Sequence, residues 1–358
     1  MADGASNEDR GDGPDEGPPV RLVATDLDGT LLRPDGTVSE RTANAVRAAR
    51  EAGVHVVPIT GRPPRVTWEV AKHAGLGPLG VCSNGAALVD LGSREVIELQ
   101  TIAAEVCAGL VENLRRDFPG VVFAVEEMER LTHEPGFMDP SWAWSERTRQ
   151  VGDIAQAVSS SCIKLIVRRP GWSAGGLLAA LRQGFAEKGH MTSSGLDWVE
   201  IGAPGISKAY AAERVCDRLG IGVAEVLAVG DNHNDLTVLG WAGRAAAPAN
   251  AIPEVLAAVQ RVIPSNGEDG VAQLLEGLTA SARPRLSPAG PRNALSALGL
   301  PSTRVLHGPR QGRPGVGQRG ADSVALLQGQ DALGDNFGPA LGRPAHPEET
   351  APCPTEDQ

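Results

Sequence analysis

The sequence is poor in aromatic residues, which make up 3% of its 358 positions, and it contains no long apolar segment. A membrane-spanning helix needs roughly 20 consecutive apolar residues, and no run approaches that length. The first 19 residues are mainly Asp, Glu, Gly and Pro without an apolar stretch, so we do not expect a signal peptide. These absences predict a protein that does not associate with membranes.

Cysteine is also scarce, and its spacing is uninformative for metal binding. The chain has five cysteines, an odd number, and none forms a CxxC pair. They are Cys82, Cys107, Cys162, Cys216 and Cys353. We interpret them as small buried thiols in a reducing cytoplasm rather than as a disulfide framework or a zinc site. The predicted location is therefore cytoplasmic.

Basic residues are outnumbered by acidic ones. Lys and Arg total 33 against 44 Asp and Glu, which gives a net charge of -11. A general nucleic-acid-binding protein would need a basic surface, so we expect no nucleic-acid partner. An acidic site binds an anionic substrate only through a cation or local hydrogen-bond donors. The oligomeric state does not follow from the charge.

Strands and helices alternate in two separate parts of the chain. Apolar runs that end on polar residues are typical of buried parallel strands. In the first part we predict strands at 20–25, 54–59 and 80–83 and helices at 39–52 and 63–74. In the second part we predict a helix at 207–219, strands at 226–229 and near 245 and 262, and a helix at 270–278. This rhythm predicts an α/β fold with a doubly wound parallel sheet.

Between these parts the pattern changes to that of an α+β insert. It begins with a hairpin at 88–99 and continues with a helix at 103–118, a strand at 121–125, a strand at 162–167, a helix at 174–186 and a strand at 198–201. We therefore predict a Rossmann-like core at 20–86 and 205–279 and an inserted cap domain at 87–204. The leader, 1–19, and the tail, 280–358, are rich in Pro, Gly and charged residues, and we expect both to be disordered.

Two carboxylates follow the first predicted strand, in the segment Asp26-Leu27-Asp28-Gly29-Thr30. A carboxylate can act as a nucleophile and form an aspartyl-phosphate, which divides hydrolysis into two easier steps. A second carboxyl group nearby can protonate the leaving alcohol and then deprotonate water. Taken alone, the segment is also compatible with an ordinary strand end followed by an Asp-Gly turn.

Polar residues also follow two other predicted strands. Thr60 and Gly61 lie at a strand-to-helix junction, where a hydroxyl and backbone N–H groups can bind an anion. Hard oxygen ligands that suit Mg²⁺ follow the strand at 226–229, in Asp231, Asn234 and Asp235. Because the carboxyl ends of parallel strands share one crevice, we expect these segments to converge.

Lys208 is placed in the first turn of a predicted helix, where a positive charge opposes the helix dipole. A lysine kept at this unfavourable position indicates that its positive charge is needed there, for example to neutralise phosphate and carboxylate groups. A solvated surface lysine is the alternative.

These four segments, in this order, resemble the four motifs of the haloacid dehalogenase superfamily. The position and α+β pattern of the insert resemble the Cof-type subfamily, which has a large cap. Further matches are Ser83-Asn84-Gly85-Ala86 before the insert, Asn250-Ala251, and Glu268-Asp269-Gly270. The resemblance covers about residues 20–279 and implies a magnesium-dependent phosphatase that acts on a small phosphorylated metabolite such as a sugar phosphate, a phosphorylated cofactor or a nucleotide.

The resemblance also implies roles for individual residues. Asp26 would be the nucleophile and Asp28 the general acid and base. Mg²⁺ would be bound by Asp26, the backbone carbonyl of Asp28 and Asp231. The remaining positions are Thr60, Gly61, Lys208 and Asn84 for phosphate binding and Asn234 and Asp235 for support of the metal.

The choice of substrate is expected to lie in the cap, where Trp142 and Trp144 stand out in a chain with few aromatics. They form either an aromatic wall against the substrate or a loop held by buried indoles. Two other functions stay open at this point: phosphotransfer or phosphomutase activity on sugar phosphates, and a non-catalytic regulatory role.

Overall fold

The computed structural model describes residues 17–138 and 147–281. The predictions for Trp142, Trp144 and the tail beyond residue 281 fall outside these ranges, as does most of the predicted leader. Within them, no helix combines the length and the apolar character needed to cross a bilayer.

The first strands and helices follow the predicted order, and the strands together form three sheets. The strands are β1 (Leu22–Thr25), β2 (His55–Pro58), β3 (Leu79–Cys82), β4 (Ala87–Asp90), β5 (Glu95–Leu99), β6 (Val122–Glu126), β7 (Leu131–His133), β8 (Thr148–Gln150), β9 (Lys164–Arg168), β10 (His190–Thr192), β11 (Val199–Gly202), β12 (Val226–Val229), β13 (Arg244–Pro248) and β14 (Arg261–Ile263). The helices are α1 (Glu40–Glu51), α2 (Pro64–Ala74), α3 (Ala104–Asp117), α4 (Ile154–Ala157), α5 (Ala174–Phe185), α6 (Lys208–Leu219), α7 (Leu236–Trp241), α8 (Pro253–Ala258) and α9 (Gly270–Ser281).

A parallel sheet forms the core module, with the strand order β14-β13-β12-β1-β2. Apolar side chains of α1, α2 and α9 cover one face, and those of α6, α7 and α8 cover the other. The prediction of an α/β fold with a doubly wound parallel sheet is therefore confirmed.

Helix α1 illustrates how local sequence determines these elements. The hydroxyl oxygen of Ser39 accepts a hydrogen bond from the N–H of Thr42, which caps the first turn. Thr42, Ala45, Val46 and Ala49 are buried, at the spacing of one face of an α-helix. This face packs on the sheet, while charged residues occupy the other side.

The register of the core sheet brings the ends of three strands into one row. Thr25 of β1 lies opposite Val229 of β12 on one side and Pro58 of β2 on the other. The residues that follow these strands therefore emerge at one edge of the sheet. Asp26, Thr60 and Asp231 are all at this edge.

A three-stranded antiparallel sheet, in the order β3-β4-β5, extends the core module beyond β2. A parallel bridge between Ile59 and Val81 joins the two sheets, and Leu88 of β4 packs into the core cluster. The hairpin that begins the predicted cap thus pairs with a core strand. The domain boundaries at 86/87 and 204/205 stay predictions.

A six-stranded sheet, in the order β10-β11-β9-β6-β7-β8, forms a second module that we call the cap. Side chains alternate between its two faces, as the pleat of a strand requires. Leu165 and Val167 pack with α3 and α5 on one face. Lys164 and Ile166, on the opposite face, point into a cavity at the carboxyl edge of the core sheet.

The two connections between the modules lie side by side. The N–H of Gln100, where the chain leaves β5, donates to the carbonyl oxygen of Ala86 at 2.7 Å. Gly85 has a φ of +105°, and an added Cβ would lie 2.7 Å from the carbonyl carbon of Ser207, on the returning connection. Only glycine permits this approach.

Candidate active site

Lys208 forms two buried ion pairs at the core edge, with Asp26 and with Asp235. The Lys208 side chain is 0% exposed, and its Nζ donates to Oδ1 of Asp26 at 2.7 Å and to Oδ1 of Asp235 at 2.6 Å. Ser207 accepts a hydrogen bond from the N–H of Tyr210 and so begins α6 one residue before Lys208. The lysine is therefore fixed by the helix start and by two carboxylates.

The charges around Asp26 perturb both members of the Asp26–Lys208 pair. Burial raises the pKa of Asp26 well above its ordinary value, the ammonium group of Lys208 opposes that rise, and the carboxylates of Asp235, Asp231 and Asp28 add to it. Burial alone would lower the pKa of Lys208, but its interactions with Asp235 and Asp26 raise it above the usual value. Lys208 consequently remains an ammonium group near neutral pH.

Asp235 organises the loop that follows β12. Its Oδ2 accepts hydrogen bonds from the backbone N–H groups of Asp231 and Asn232, both at 3.0 Å, while its Oδ1 accepts from Lys208. Asp231 itself accepts from the hydroxyl of Thr30 through Oδ1 at 2.8 Å. The loop is thus held to Asp26 on one side and to the turn after β1 on the other.

Three buried carboxylates converge here, from Asp26, Asp231 and Asp235, each with an oxygen within 4.8 Å of the others. Lys208 supplies one positive charge against these three negative charges. A buried surplus of negative charge is costly without a cation, and hard oxygen donors suit Mg²⁺. The carboxylate oxygens of Asp235 already accept hydrogen bonds from Lys208 and from two backbone N–H groups. The oxygens of Asp26 and Asp231 are therefore the better ligands for such a cation.

Asp28 lies at the rim of the site. Its carboxylate accepts two hydrogen bonds from Arg62, from Nη2 at 2.6 Å and from Nε at 2.7 Å. The side chain of Asp28 is 46% exposed and that of Arg62 is 9% exposed. Arg62 was present in the segment after the second strand, but nothing in its local sequence distinguished it from a surface arginine.

Thr60 is buried, its N–H donates to the carbonyl oxygen of Val81 at 2.9 Å, and its hydroxyl oxygen accepts from the N–H of Arg62 at 3.1 Å. Gly61 follows it and faces the cavity. The predicted phosphate-binding pair therefore lies at the same edge as Asp26.

Asn84 links the core module to the cap. It and Ser83 both have positive φ, at +56° and +50°, a conformation that non-glycine residues adopt rarely. Its Nδ2 donates to Oε2 of Glu200 at 2.5 Å, and its Oδ1 accepts from Asn234 at 3.1 Å. Asn84 therefore bonds both Asn234 of the core module and Glu200 of the cap.

Glu200 and Lys164 complete this connection. Lys164 Nζ donates to Oε1 of Glu200 at 2.5 Å and to the carbonyl oxygen of Gly61 at 2.9 Å. Neither residue was singled out in the sequence, because a charged residue in a short strand usually faces solvent.

A cavity of about 290 Å³ lies between the core edge and the cap. Asp26, Asp28, Gly61 and Asn234 line its core side. This volume is at the lower end of the range for small-molecule sites, which indicates a compact ligand.

Comparison with known proteins agrees with this geometry. A family model described as haloacid dehalogenase-like hydrolase matches residues 23–275. The chain belongs to the haloacid dehalogenase-like hydrolase family. It is a hydrolase of the phosphatase type, as the predicted resemblance implied.

Two relatives in this family align over nearly their whole length. YxeH of Bacillus subtilis (strain 168) is 29% identical over 266 residues, which are 72% of this chain and 98% of YxeH. Pyridoxal phosphate phosphatase YbhA of Escherichia coli (strain K12) is 26% identical over 271 residues, which are 72% of this chain and 97% of YbhA.

Solved structures share the fold of this chain. SMU.1108c from Streptococcus mutans UA159 has a TM-score of 0.65 at 22% identity, over 73% of this chain and 100% of that chain. The sugar phosphatase BT4131, of haloacid dehalogenase subclass IIB, has a TM-score of 0.63 at 20% identity, over 72% of this chain and 100% of that chain. The fold over these residues is therefore a known architecture.

Proposed function

We propose that this chain is a magnesium-dependent phosphatase that hydrolyses a small phosphate monoester through an aspartyl-phosphate on Asp26. The observation that supports this most directly is the buried cluster of Asp26, Lys208, Asp231 and Asp235. Lys208 favours the ionised form of Asp26, which a nucleophile requires, and it offsets negative charge where a phosphoryl group would enter.

The first step transfers the phosphoryl group. A carboxylate oxygen of Asp26 attacks phosphorus, the bond to the ester oxygen breaks, and Asp28 gives its proton to the departing alcohol. In the second step Asp28 takes a proton from water, whose oxygen attacks phosphorus and releases Asp26 and inorganic phosphate. Thr60 and the N–H groups near Gly61 would hold the phosphoryl oxygens.

Asp26, the backbone carbonyl of Asp28 and Asp231 would hold Mg²⁺, with Asp235 and Asn234 supporting the loop. The bound ion supplies charge neutralisation for the phosphoryl oxygens. Gly29 keeps the turn after β1 close to Asp231, and Asn250 holds that turn by donating to the Gly29 carbonyl oxygen at 2.8 Å.

A small phosphorylated metabolite is the proposed substrate. YbhA is named for pyridoxal phosphate, and the cavity of about 290 Å³ accommodates an organic group of that size class rather than a polymer.

Replacing Asp26 with asparagine tests the proposed nucleophile. Asp26→Asn should lower Mg²⁺-dependent release of phosphate from an aryl phosphate by at least about 10³-fold, because the amide is a poor nucleophile and a weaker cation ligand. Asp217→Asn is the matched control, since that carboxylate is 66% exposed on α6. Near-normal turnover by Asp26→Asn, with an unchanged thermal transition, contradicts the mechanism. Adding an acceptor sugar to the assay separates hydrolysis from phosphotransfer.

A further inference from the structure

The cap presents a mixed polar and apolar surface to the cavity. Glu126 of β6 pairs in register with Lys164 of β9, and Glu200 of β11 pairs with Ile166. Trp198 precedes β11 and lies on the same side as Glu200. The charged residues therefore lie nearest Gly61 and the core edge, while the apolar ones extend the surface away from it.

Lys164 and Glu200 are charged residues that are buried between the cap and the core edge, which is unusual for these residue types. Their side chains are each 5% exposed, and they form an ion pair with each other. A buried ion pair is frequently no more stabilising than apolar residues of the same volume. Its presence here in the wall of the cavity indicates a role in ligand recognition rather than stability alone.

The positive charges lining the cavity, among the residues at 17–138 and 147–281, are all balanced by acidic partners. Arg33 donates to both carboxylate oxygens of Asp269, at 2.9 and 2.7 Å. Arg62 is bound to Asp28 in the same bidentate manner, and Lys164 is bound to Glu200.

Glu126 is likewise neutralised, since Nη1 of Arg65 donates to it at 2.6 Å. Among the described residues, the cap side of the cavity therefore carries Glu126, Lys164 and Glu200, and each is paired with a group of opposite charge, Glu126 with Arg65 of α2. It has polar atoms to offer a ligand, but no surplus positive charge.

Apolar side chains form the rest of the cap surface. Leu131, Ile166, Leu196 and Trp198 line the cavity beside the ion pair. The ring of Trp198 stacks on Phe137, with centroids 5.8 Å apart and an angle of 28° between planes, which fixes the indole in place. A rigid apolar wall favours a flat or apolar portion of a ligand.

We propose that the cap selects phosphate monoesters whose leaving group is uncharged, has an apolar face, and carries a hydroxyl or similar neutral polar group for Lys164 and Glu200. This inference rests on the proposed function and defines its substrate class. An anionic leaving group would lose water without gaining a cation of its own, and it would face the carboxylates of Glu126 and Glu200.

Three synthetic esters with the same scissile bond test this selection: benzyl phosphate, 4-(hydroxymethyl)benzyl phosphate and 4-carboxybenzyl phosphate. The wild-type enzyme with Mg²⁺ should have the highest kcat/KM for the hydroxymethyl ester. The carboxy ester should be at least about 10-fold poorer than the hydroxymethyl ester, because like charges in a desolvated site repel strongly. Equal kcat/KM for these two esters overturns the proposal while leaving the phosphatase function intact.

Glu200→Gln provides a gain-of-function test, because it leaves Lys164 with an uncompensated positive charge. The ratio of kcat/KM for the carboxy ester to that for the hydroxymethyl ester should rise at least about 10-fold. Glu127→Gln is the matched control: it makes the same charge change in the cap, but Glu127 bonds Thr132 and Arg130 and does not line the cavity. An equal rise in both variants refutes the assignment.

Binding of the corresponding benzylphosphonates, measured by calorimetry with Mg²⁺, distinguishes a failure of substrate selection from a failure of the phosphatase function. If none of the esters is hydrolysed but the carboxy phosphonate still binds at least about 10-fold more weakly than the hydroxymethyl one, the phosphatase function fails and the selection stands. If Glu200→Gln does not fold, the wild-type enzyme alone tests the proposed selection, through its preference between the carboxy and hydroxymethyl compounds in hydrolysis and in binding.

Discussion

Replacing Gly29 with alanine should disable the cation site with little damage to the fold. Gly29 has a φ of +79°, and an added Cβ would lie 2.7 Å from Cγ of Asp231, where ordinary contacts begin at 3.4 Å. Since the Asp231 carboxylate oxygens are also in the way, that group must retreat by on the order of 1 Å. A displacement of about 1 Å at a catalytic group can lower turnover roughly 10²-fold.

Gly53→Ala is a matched control for the backbone strain. Gly53 has a φ of +87°, but nothing lies within 4 Å of its added Cβ. Both variants should lose about 1 to 2 kcal/mol of unfolding free energy, the cost of a left-handed conformation for an L-residue. That loss corresponds to a decrease of roughly 2 to 8 °C in Tm.

The assay compares kcat/KM and the Mg²⁺ concentration for half-maximal activity in the two variants. Gly29→Ala should lower kcat/KM roughly 10²-fold and require more Mg²⁺, because its Asp231 is displaced. Gly53→Ala should match the wild type in both. If Gly29→Ala has the same activity and magnesium requirement as Gly53→Ala, the proposed role of Asp231 as a cation ligand is refuted.

Two further predictions concern Lys208 and the C-terminal segment. Lys208→Met removes the one cation from the buried carboxylate cluster, so it should lower the unfolding free energy without Mg²⁺ by about 3–5 kcal/mol; denaturant titration checks this, and a loss below 1 kcal/mol contradicts the proposed charge balance. Deleting 282–358 should leave phosphatase activity and solubility nearly unchanged, as the low-complexity composition predicts, and a loss of either in the purified truncated protein would show that this segment has a role.

The convergence of the motifs could be predicted because it depends on sheet topology alone. Asp26, Thr60 and Asp231 each follow a parallel strand, and parallel strands end at one edge. Lys208 could also be predicted to belong to this site, because a lysine in the first turn of a helix opposes the helix dipole and is therefore unfavourable without a partner. The structure places these four residues together at that edge.

The partners of individual side chains could not be predicted in the same way. The Arg62–Asp28 pair and the Lys164–Glu200 pair depend on how a loop folds back and on how the cap sits over the core. Both are tertiary contacts between residues more than 30 positions apart. The role of Asn234 in supporting the metal stays a prediction, but its bond to Asn84 could not be predicted, because the uncommon backbone conformation of Asn84 directs that side chain.

The short elements of the cap were also missed, and their lengths explain why. Strands β7, β8 and β10 have three residues each, and α4 has four. Periodicity cannot be recognised over so few positions. The longer helices α3 and α5, by contrast, match their predicted spans to within one residue at either end.

The close contact between the two connections has a consequence for how such enzymes diversify. Gln100 bonds Ala86, and Gly85 packs against Ser207, so the points where the cap begins and ends almost touch. A segment whose ends meet can be exchanged for another without stretching the host, which is why domain insertion succeeds at such places. The cap could therefore be replaced by one of different shape, with a new substrate preference, while the carboxyl edge of the core sheet stays unchanged. Any such replacement must retain Gly85, because no larger residue fits against Ser207.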